Sequence, residues 1–507
     1  MSRWLPGRDR RAVRHPGPTG RARVQQPRRV IVVGGGIAGL AAATVLAERG
    51  VSVHVVEAQP QLGGRVRAWP VAGGRTMSRG FHAFFRQYYN LRNLLRRTDP
   101  TLSRLRPIED YPLQRPDGLR DSFSSIPRTP PWSVLGFVVQ SPTFTPRALA
   151  GVDVKAALEL LQVSFPRSFS DYDGESAAAF LDRLRFPPAA RDLALEVFAR
   201  SFFADPSEFG AGELVAMFHT YFMGSAEGLT FDVPHDDYDT ALWAPLGRHL
   251  GKLGVTIATN TRVERISAEG RVGVQVEGQF LEADAVVLAT DPRAARALIA
   301  EVEVSTPAEP WQQRVAATRN SPPFAVLRLW LDGLVAPDRP EFLGTSGYGP
   351  LDNISVLDRF EEGARQWRRQ HQGSVVELHA YATSPAVMDD PAAAASVREQ
   401  LLTELHRAYP ETESMGIVAE EFVVADDCVL IDPSPWQQRP GVITPYPALT
   451  LTGDWVRCDF PVALMERAAT TGMLAANTLL ARWDTAGEDL WTVPMRGLLG
   501  RRGARTT

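Results

Sequence analysis

The sequence predicts an α/β fold in which one domain, built on a parallel sheet, carries a second, inserted α+β domain. A strand, a glycine-rich turn, a helix and a second strand follow one another within residues 29–57. Two more short apolar strands, at 285–290 and 449–453, lie far along the chain, which indicates that insertions interrupt the first domain. A chain of 507 residues is also too long for one simple core.

Composition and charge narrow the classes of protein to consider. Hydrophobic residues make up 44% and charged residues 22%, as is ordinary for folded soluble proteins. The net charge of −3 provides no basic field for nucleic acid. The two cysteines, Cys428 and Cys458, form no disulfide framework and have no metal-ligand spacing, so we expect a reducing, cytoplasmic setting and no metal site. No apolar run reaches the roughly 18 to 20 residues that span a bilayer.

Both ends of the chain are rich in Arg, Gly and, at the N-terminus, Pro. Residues 1–27 lack the apolar segment of a secretory signal, and we predict that they form a disordered basic tail. Residues 484–507, which end in RGLLGRRGARTT, form the corresponding C-terminal tail. The alternative interpretation is that these basic arms contact anionic lipid headgroups.

The stretch RVIVVGGGIAGL, residues 29–40, places glycines at the junction of the first strand and helix. Gly34, Gly36 and Gly39 occupy the G-x-G-x-x-G positions of a Rossmann-type nucleotide-binding unit. Gly34 permits the tight turn, Gly36 lets the backbone approach a pyrophosphate, and Gly39 lets the helix pack close to the strand. The N-terminus of the helix then faces the phosphates.

The second strand of this unit ends in an acidic residue that the motif requires. Glu57 lies 18 residues after Gly39, where its carboxylate can accept hydrogen bonds from a ribose. Ala38, in the first turn of the predicted helix, belongs to the same loop. Strand, glycines, helix, strand and acid together predict dinucleotide binding.

The segment after Glu57 indicates which dinucleotide is bound. Gly63, Gly64 and Arg65 form a GGR segment that resembles flavoproteins of the amine oxidase and carotenoid desaturase type. In that family the segment lies along the pyrophosphate and toward the flavin, so the resemblance implies FAD rather than NAD. No second G-x-G-x-x-G occurs, and we expect no separate NADPH site.

Two distant segments agree with FAD binding. Alternating residues predict a β-meander over 255–292, and the resemblance implies that the backbone of Val263 lies against the adenine. A strand ends at Gly453 and Asp454, and we expect a helix from near Pro461. The resemblance places this Gly-Asp pair beside the ribityl and phosphate groups. A plain hairpin at the first segment and a helix cap at Asp454 are the alternatives.

The FAD-binding domain is therefore predicted to be discontinuous, as in the amine oxidase and phytoene desaturase architecture. We assign it residues 28–110, 245–300 and 440–483. The inserted stretches, 111–244 and 301–439, are predicted to form the substrate-binding domain.

The first insertion carries two apolar features, each with two interpretations. Trp132, Leu135, Phe137 and Val138 lie between proline breaks, as in an interfacial membrane segment or a core helix. Further on, aromatic residues and a methionine recur at helical spacing, as in a hydrophobic core or in the wall of a long apolar channel. They are Phe198, Phe202, Phe203, Phe209, Phe218, Tyr221, Phe222, Met223 and Phe231.

The segment RGFHAFFRQYYNLRNLLRR, residues 79–97, resembles the plant-type carotene desaturases, although Ser78 and Arg79 stand where those enzymes carry an acid. Together with DYPLQRPDGLRDSF, RTPPWSVLGFV, ARSFFADP and FDVPHDDYDTALWAPL, it is similar to the actinobacterial isorenieratene synthases, a family of carotene desaturase/methyltransferases. This resemblance spans about residues 28–483. It implies FAD-dependent aromatisation of the β-ionone ring of β-carotene with a 1,2-methyl shift, and peripheral contact with the membrane that holds this carotenoid substrate.

Such a reaction needs a group that accepts ring protons. His82 is our first candidate for this base, or for shaping the ring site; a histidine among aromatic residues is also common in cores. Asp236 and Asp237 are alternative bases, or they cap the following helix. Arg79 and Arg86 contact the cofactor or an acidic partner, or are surface charges.

The same sequence features also fit other functions. The chain could be another carotene desaturase, a carotenoid isomerase or a non-enzymatic carotenoid carrier. A flavin amine oxidase would share the fold, but the SGGCY-type motif for covalent flavin is absent and Cys458 stands in a different context. The sequence does not predict an oligomeric state.

Overall fold

The computed structural model describes residues 9–122, 124, 126–141, 151–185, 202–227, 229, 231–304 and 308–500. The strands are β1 Val13–His15, β2 Arg29–Val33, β3 Ser52–Val56, β4 Ala68–Val71, β5 Arg75–Ser78, β6 Phe84–Phe85, β7 Leu105–Pro107, β8 Leu113–Gln114, β9 Arg120–Asp121, β10 Phe231–Pro234, β11 Thr256–Ala258, β12 Val263–Ser267, β13 Gly273–Val276, β14 Gln279–Glu282, β15 Ala285–Leu288, β16 Arg319–Asn320, β17 Phe324–Leu331, β18 Phe342–Thr345, β19 Asn353–Val356, β20 Val375–Ala380, β21 Ile417–Ala425, β22 Val429–Leu430, β23 Leu449–Leu451 and β24 Leu490–Thr492. The helices are α1 Ile37–Glu48, α2 Tyr89–Leu95, α3 Trp132–Gln140, α4 Val154–Glu159, α5 Arg167–Ser170, α6 Ala177–Leu184, α7 Ala211–Phe218, α8 Ala244–Lys252, α9 Pro292–Ala300, α10 Glu309–Ala316, α11 Glu362–His371, α12 Pro391–Ala408 and α13 Leu464–Arg482.

The predicted α/β fold is confirmed. Five strands form a parallel sheet in the order β11-β3-β2-β15-β23, and they come from three separate stretches of the chain. β2 and β15 lie in the middle of this sheet and are apolar and buried, as strands covered on both faces must be.

Helix α1 packs unusually close to its neighbours because glycines stand at the contact points. A Cβ added to Gly39 would lie 2.0 Å from the carbonyl oxygen of Gly34. A Cβ added to Gly472, on α13, would lie 2.3 Å from the carbonyl oxygen of Ala38. These contacts fix the start of α1 against both the sheet and α13.

The predicted β-meander is confirmed only in its middle part. β12, β13 and β14 form a small antiparallel sheet, whereas β11 and β15 pair in parallel with β3 and β2. The alternation of residues in this stretch identified strands but not their partners, because strand pairing depends on segments two hundred residues away.

The second large sheet has seven strands in the order β21-β17-β20-β19-β18-β8-β9. One face of β17, β19 and β20 packs on α12, and Leu378 shares one buried hydrophobic cluster with Leu401 and Leu405. Because successive side chains alternate between faces, the residues on either side of Leu378 point to the opposite face. That face looks toward the parallel-sheet domain.

The prediction of disordered tails is wrong for residues 9–27 and 484–500. β1 pairs with β24 in an antiparallel ribbon, and the N–H of Arg21 donates to the carbonyl of Asp484 at 2.9 Å. The N–H of Ala226 donates to Asp9 at 2.8 Å, which ties the first described residue to the body of the protein. The two ends are polar in composition, but each supplies the backbone partners that the other needs. Residues 1–8 and 501–507 lie outside the described part of the chain.

Helix α3 exposes one of its faces to solvent. Trp132, Leu135 and Val139 are 62%, 50% and 82% exposed. The opposite face does pack, since Ser133 is buried and Val138 lies against the hydrophobic core, so the core-helix interpretation holds for that face only. The side chain of Phe137 lies outside the described residues. Among the helices that the structure describes, none combines the length and the apolar character needed to cross a bilayer.

Candidate active site

A cavity of about 480 Å³ lies between the two large sheets. Its wall includes the loops at the carboxyl ends of β2, β3, β15 and β23, the edge where ligands bind to open parallel sheets. Nearly all the residues that we predicted from sequence line it: Gly34, Gly36, Ala38, Glu57, Gly63, Gly64, Arg65, His82, Val263, Gly453 and Asp454. Gly39 is the exception, because it lies behind the loop and packs on Gly34.

Two glycine-rich loops lie side by side and form one end of the cavity. The N–H of Gly63 donates to the carbonyl of Gly35 at 2.9 Å. Gly34 (φ +110°) and Gly63 (φ +102°) have backbone conformations that favour glycine, and a Cβ on Gly34 would lie 2.6 Å from the carbonyl oxygen of Ala289. The cradle is thus lined by backbone, as a pyrophosphate at a helix N-terminus requires.

Glu57 is held in a fixed orientation at the end of β3. Its Oε2 accepts the N–H of Gly35 at 2.6 Å, and its Oε1 accepts the N–H of Gln59 at 2.8 Å. The carboxylate faces the cavity beside the glycine loops, where it can accept further hydrogen bonds from ribose hydroxyls.

Arg65 and Asp454 pair across the cavity wall, with Nη2 of Arg65 2.6 Å from Oδ1 of Asp454. Burial would lower the pKa of Arg65, but Asp454 raises it above its ordinary value. The alternative prediction that Asp454 caps the following helix is wrong, because α13 begins after Ala463 and has no side-chain cap. Gly453, at φ +143°, donates its N–H to Oγ1 of Thr471 at 3.0 Å.

The other charged candidates have acidic or backbone partners. Arg79 makes a bidentate pair with Asp427, and Arg86 lies 3.5 Å from Asp232. Asp237 accepts the N–H groups of the two residues that start the next helical turn, 239 and 240, which agrees with the capping interpretation. Asp236 likewise accepts backbone N–H groups, at residues 237 and 363.

His82 is held on the cavity wall as a neutral ring. Its Nδ1 lies 2.8 Å from the carbonyl oxygen of Gly80, and since a carbonyl only accepts, the proton belongs on Nδ1. Burial lowers the pKa of His82 to about 4. The lone pair is therefore on Nε2, the ring atom that can take a proton. The backbone N–H of His82 donates to the hydroxyl of Tyr238 at 2.9 Å.

A second polar group on the cavity wall did not emerge from the sequence. Glu377, His379 and Tyr381 lie at alternate positions in and just beyond β20, in the stretch VVELHAYA. Asn353, on β19, and Tyr381 line the cavity, with Glu377 and His379 buried behind them. The sequence does carry a signal for this group: polar residues stand at every second position of an apolar strand. Burying polar atoms is unfavourable unless they have hydrogen-bond partners, so a polar face on a buried strand indicates a site.

The aromatic residues of the first insertion divide between core and cavity. Phe203, Tyr221 and Phe231 line the cavity, whereas Phe209 and Phe222 pack in the core. The core interpretation is thus confirmed for part of the set, and the interpretation as a channel wall stays a prediction for the members that line the cavity. Phe198 lies outside the described residues.

Residues 37–480 match the family of flavin containing amine oxidoreductases. The chain belongs to that family. A putrescine oxidase structure is similar with a TM-score of 0.65 at 17% identity, over 90% of this chain and 100% of that one, and it shows the flavin amine oxidoreductase fold. The match covers Gly39, the second glycine loop with Arg65, and most of α13, so the prediction of a flavin-dependent oxidoreductase is confirmed.

Two curated relatives are similar over nearly the whole chain. A carotenoid phi-ring synthase of Streptomyces griseus is 52% identical over 97% of this chain and 95% of its own length. A carotenoid phi-ring synthase of Chlorobaculum tepidum is 27% identical over 93% of this chain and 91% of its own.

Proposed function

We propose that this protein binds FAD and aromatises the terminal ring of β-carotene, moving one geminal methyl group to the neighbouring ring carbon. The observation that carries the proposal is the 52% identity, over nearly the full length, to a carotenoid phi-ring synthase. The product would be a phi ring, as in isorenieratene.

The residues of the cavity fit FAD. The two glycine loops offer backbone N–H groups to the pyrophosphate, and Glu57 offers its carboxylate to a ribose. Val263 would lie against the adenine, and the pair of Arg65 with Asp454 would lie toward the flavin. When bound, FAD would supply the acceptor for the hydride that each desaturation removes from the ring.

The remainder of the cavity suits an apolar, conjugated substrate. Phe85 stacks on Tyr221 with ring centroids 4.3 Å apart, and Phe81 lies 4.4 Å from Phe342. All four side chains face the cavity. Such aromatic walls bind a polyene end ring through burial and exclude water from it.

The chain must also accept protons from the substrate. Loss of a hydride leaves an allylic cation beside the carbon that carries the two methyl groups, and one methyl shifts to it. A ring proton then leaves, and Nε2 of His82 would accept it, because His82 lines the cavity and burial keeps its ring neutral. His82 is therefore the proposed base.

We further propose peripheral contact with the cytoplasmic face of the membrane through α3. Trp132, Leu135 and Val139 recur at helical spacing and are exposed together. The hydroxyl of Ser133 on α3 donates to the carbonyl of Phe222 at 3.0 Å, next to the cavity-lining Tyr221. α3 would thus hold the cavity wall against the bilayer in which β-carotene dissolves.

Expression beside a β-carotene pathway tests this function, with the pathway alone as the control. A pigment with a shortened chromophore and aromatic ring protons in its NMR spectrum would support the proposal. Unchanged β-carotene together with bound FAD would contradict it. Oxidation of amines with release of peroxide would favour the amine oxidase alternative, and co-purified but unconverted carotene would favour a carrier.

A further inference from the structure

Strand β20 presents a buried polar stripe to the cavity side of the seven-stranded sheet. Glu377 and His379 are 0% and 1% exposed, and Tyr381 stands at the cavity wall on the same face. Cross-strand neighbours extend the stripe, with Arg328 of β17 opposite Glu377 and Asn353 of β19 opposite His379. Burying so many polar atoms is unfavourable unless they bind one another in a defined order.

Distances define that order from the buried end to the cavity. Nη2 of Arg328 lies 2.6 Å from Oε2 of Glu377, and Oε1 of Glu377 lies 2.9 Å from Nε2 of His379. Nδ1 of His379 lies 2.8 Å from the hydroxyl of Tyr381. Nδ2 of Asn353 donates to the same hydroxyl at 3.0 Å. One continuous chain of hydrogen bonds therefore ends at a phenol on the cavity wall.

The direction of each hydrogen bond follows from the charges. Burial would raise the pKa of Glu377, but Arg328 and the bond from His379 outweigh it and lower the pKa to about 2. An ionised carboxylate only accepts, so His379 carries its proton on Nε2. The N–H of Phe81 also approaches Nε2, at 3.2 Å, but the charged carboxylate is closer and is the stronger partner. Nδ1 of His379 then accepts the hydroxyl proton of Tyr381.

We propose that Tyr381, His379 and Glu377 form a proton relay that removes a ring proton from the substrate cation. This inference rests on the proposed function and adds a second acceptor to His82. Two acceptors suit a reaction in which each of two desaturations releases one proton. His82 and His379 contact opposite sides of the peptide that joins Gly80 and Phe81, so they are separate acceptors. His82 lines the cavity itself, whereas His379 reaches it through Tyr381.

The step balances as a proton transfer. A C–H bond of the ring cation breaks, and its electron pair becomes a ring double bond. The proton passes to the oxygen of Tyr381 while the hydroxyl proton of Tyr381 passes to Nδ1 of His379. The imidazolium that results lies 2.9 Å from the carboxylate of Glu377, and no group in this step is oxidised or reduced.

Tyr381 needs the relay because it does not ionise by itself. Burial, with Asp352 nearby, raises the pKa of Tyr381 above its ordinary value, so the phenol stays protonated at neutral pH. Asp352 also lines the cavity, and one of its oxygens accepts the backbone N–H of Tyr381 at 2.6 Å. Asp352 is the acidic competitor that a test must separate from the relay.

Kinetics of three variants provide the first test, using the FAD-loaded enzyme and β-carotene. Tyr381→Phe keeps the ring and removes the hydroxyl, and we expect a loss of about 10²-fold or more in turnover with unchanged FAD content. His379→Gln should show a similar loss. In the double variant the losses should not multiply, because the two residues act as one unit. Tyr409→Phe is the matched control, since the Tyr409 hydroxyl is buried without a partner far from the cavity.

Several outcomes would overturn the relay. Wild-type turnover in Tyr381→Phe would do so, as would losses that multiply in the double variant. A large loss in Asp352→Asn combined with normal turnover in Tyr381→Phe would assign the base to Asp352 instead. Failure of the wild-type enzyme to convert β-carotene is a different result, which removes the proposed function.

The second test needs no substrate and no turnover. The measurement is an NMR spectrum of protein labelled with ¹⁵N-histidine. The signals of the His379 ring nitrogens are those that disappear in His379→Gln. We expect the proton on Nε2 and an unprotonated Nδ1 whose shift changes in Tyr381→Phe. A proton on Nδ1 would mean that Tyr381 cannot pass its own proton to this ring, and the relay would be wrong. If His379→Gln does not fold, the shift change in Tyr381→Phe alone identifies the ring.

Discussion

Nη2 of Arg65 and Oδ1 of Asp454 lie 2.6 Å apart, although 389 positions separate them in the sequence. Arg65 follows the second glycine loop, and Asp454 follows the last strand of the parallel sheet. Their contact closes the wall of the cavity near the proposed flavin. The pair therefore joins the first and last segments of the discontinuous domain.

Asp454→Ala should weaken both the fold and the binding of FAD. Removal of the carboxylate leaves the guanidinium of Arg65 on the cavity wall without its partner. We expect this to lower the free energy of unfolding by about 3 kcal/mol. We expect the apparent Kd for FAD, measured by quenching of flavin fluorescence, to rise at least tenfold. Glu175→Ala, which breaks an exposed ion pair with Arg183, is the control. Unchanged FAD affinity in Asp454→Ala would contradict this role.

Two glycines of the first loop should respond differently to alanine. A Cβ on Gly36 meets nothing closer than the Cα of Gly64 at 3.7 Å, so Gly36→Ala should fold and yet obstruct the pyrophosphate. A Cβ on Gly39 would lie 2.0 Å from the carbonyl oxygen of Gly34, so Gly39→Ala should destabilise the fold itself by about 1–3 kcal/mol.

Thermal unfolding with and without added FAD distinguishes the two. Gly36→Ala should keep the Tm of the protein without FAD and lose the increase that FAD produces. Gly39→Ala should lower the Tm in both conditions. The same loss of FAD stabilisation in both variants, with equal Tm values without FAD, would show that these glycines do not have separate roles.

His82 should make the stability of the fold depend on pH in a defined window in which turnover persists. Its pKa is about 4 in the fold and 6.5 in a model peptide, so the unfolded chain binds more protons between these values. Stability that is present above pH 6.5 is therefore lost as the pH falls toward 4, by about 3 kcal/mol at most. As a base, His82 stays neutral across this window, so turnover should persist to about pH 5.

Unfolding by urea at several pH values measures this dependence. In His82→Gln, the free energy of unfolding should decrease less between pH 6.5 and 4 than in the wild type. His371→Gln, on the exposed surface of α11, is the control and should behave like the wild type. His219, whose pKa burial also lowers to about 4, contributes equally in both variants. An unchanged pH slope in His82→Gln would contradict the burial argument.

Polar substitutions on α3 should release the protein from lipid without changing the cavity. In the triple variant Trp132→Ser, Leu135→Ser, Val139→Ser, we expect flotation with liposomes to fall and FAD content to stay constant. Turnover should fall when β-carotene is supplied in vesicles and stay unchanged when it is supplied in detergent. Leu334→Ser, at an exposed position remote in sequence, is the matched control. Equal flotation of all three proteins would contradict the proposed membrane surface.

The local patterns of the sequence determined the fold class and one end of the site. The spacing of Gly34, Gly36 and Gly39 between an apolar strand and a helix depends only on neighbouring residues, and Glu57 follows within the same unit. A turn, a close helix contact and a helix N-terminus are local consequences of chain geometry. Such features can be predicted from a single stretch of sequence.

Tertiary structure alone decided which distant groups meet. The ribbon of β1 with β24, the transfer of β11 to the parallel sheet and the contact of Arg65 with Asp454 all join segments whose pairing no local pattern encodes. The alternation of polar and apolar residues in β20 is visible in the sequence. Which of its two faces meets the cavity depends on α12, because α12 covers the apolar one. Sequence thus determined the elements and the cradle of glycines. Packing determined the second proton acceptor, because the orientation of a strand's faces is set by what lies against each of them.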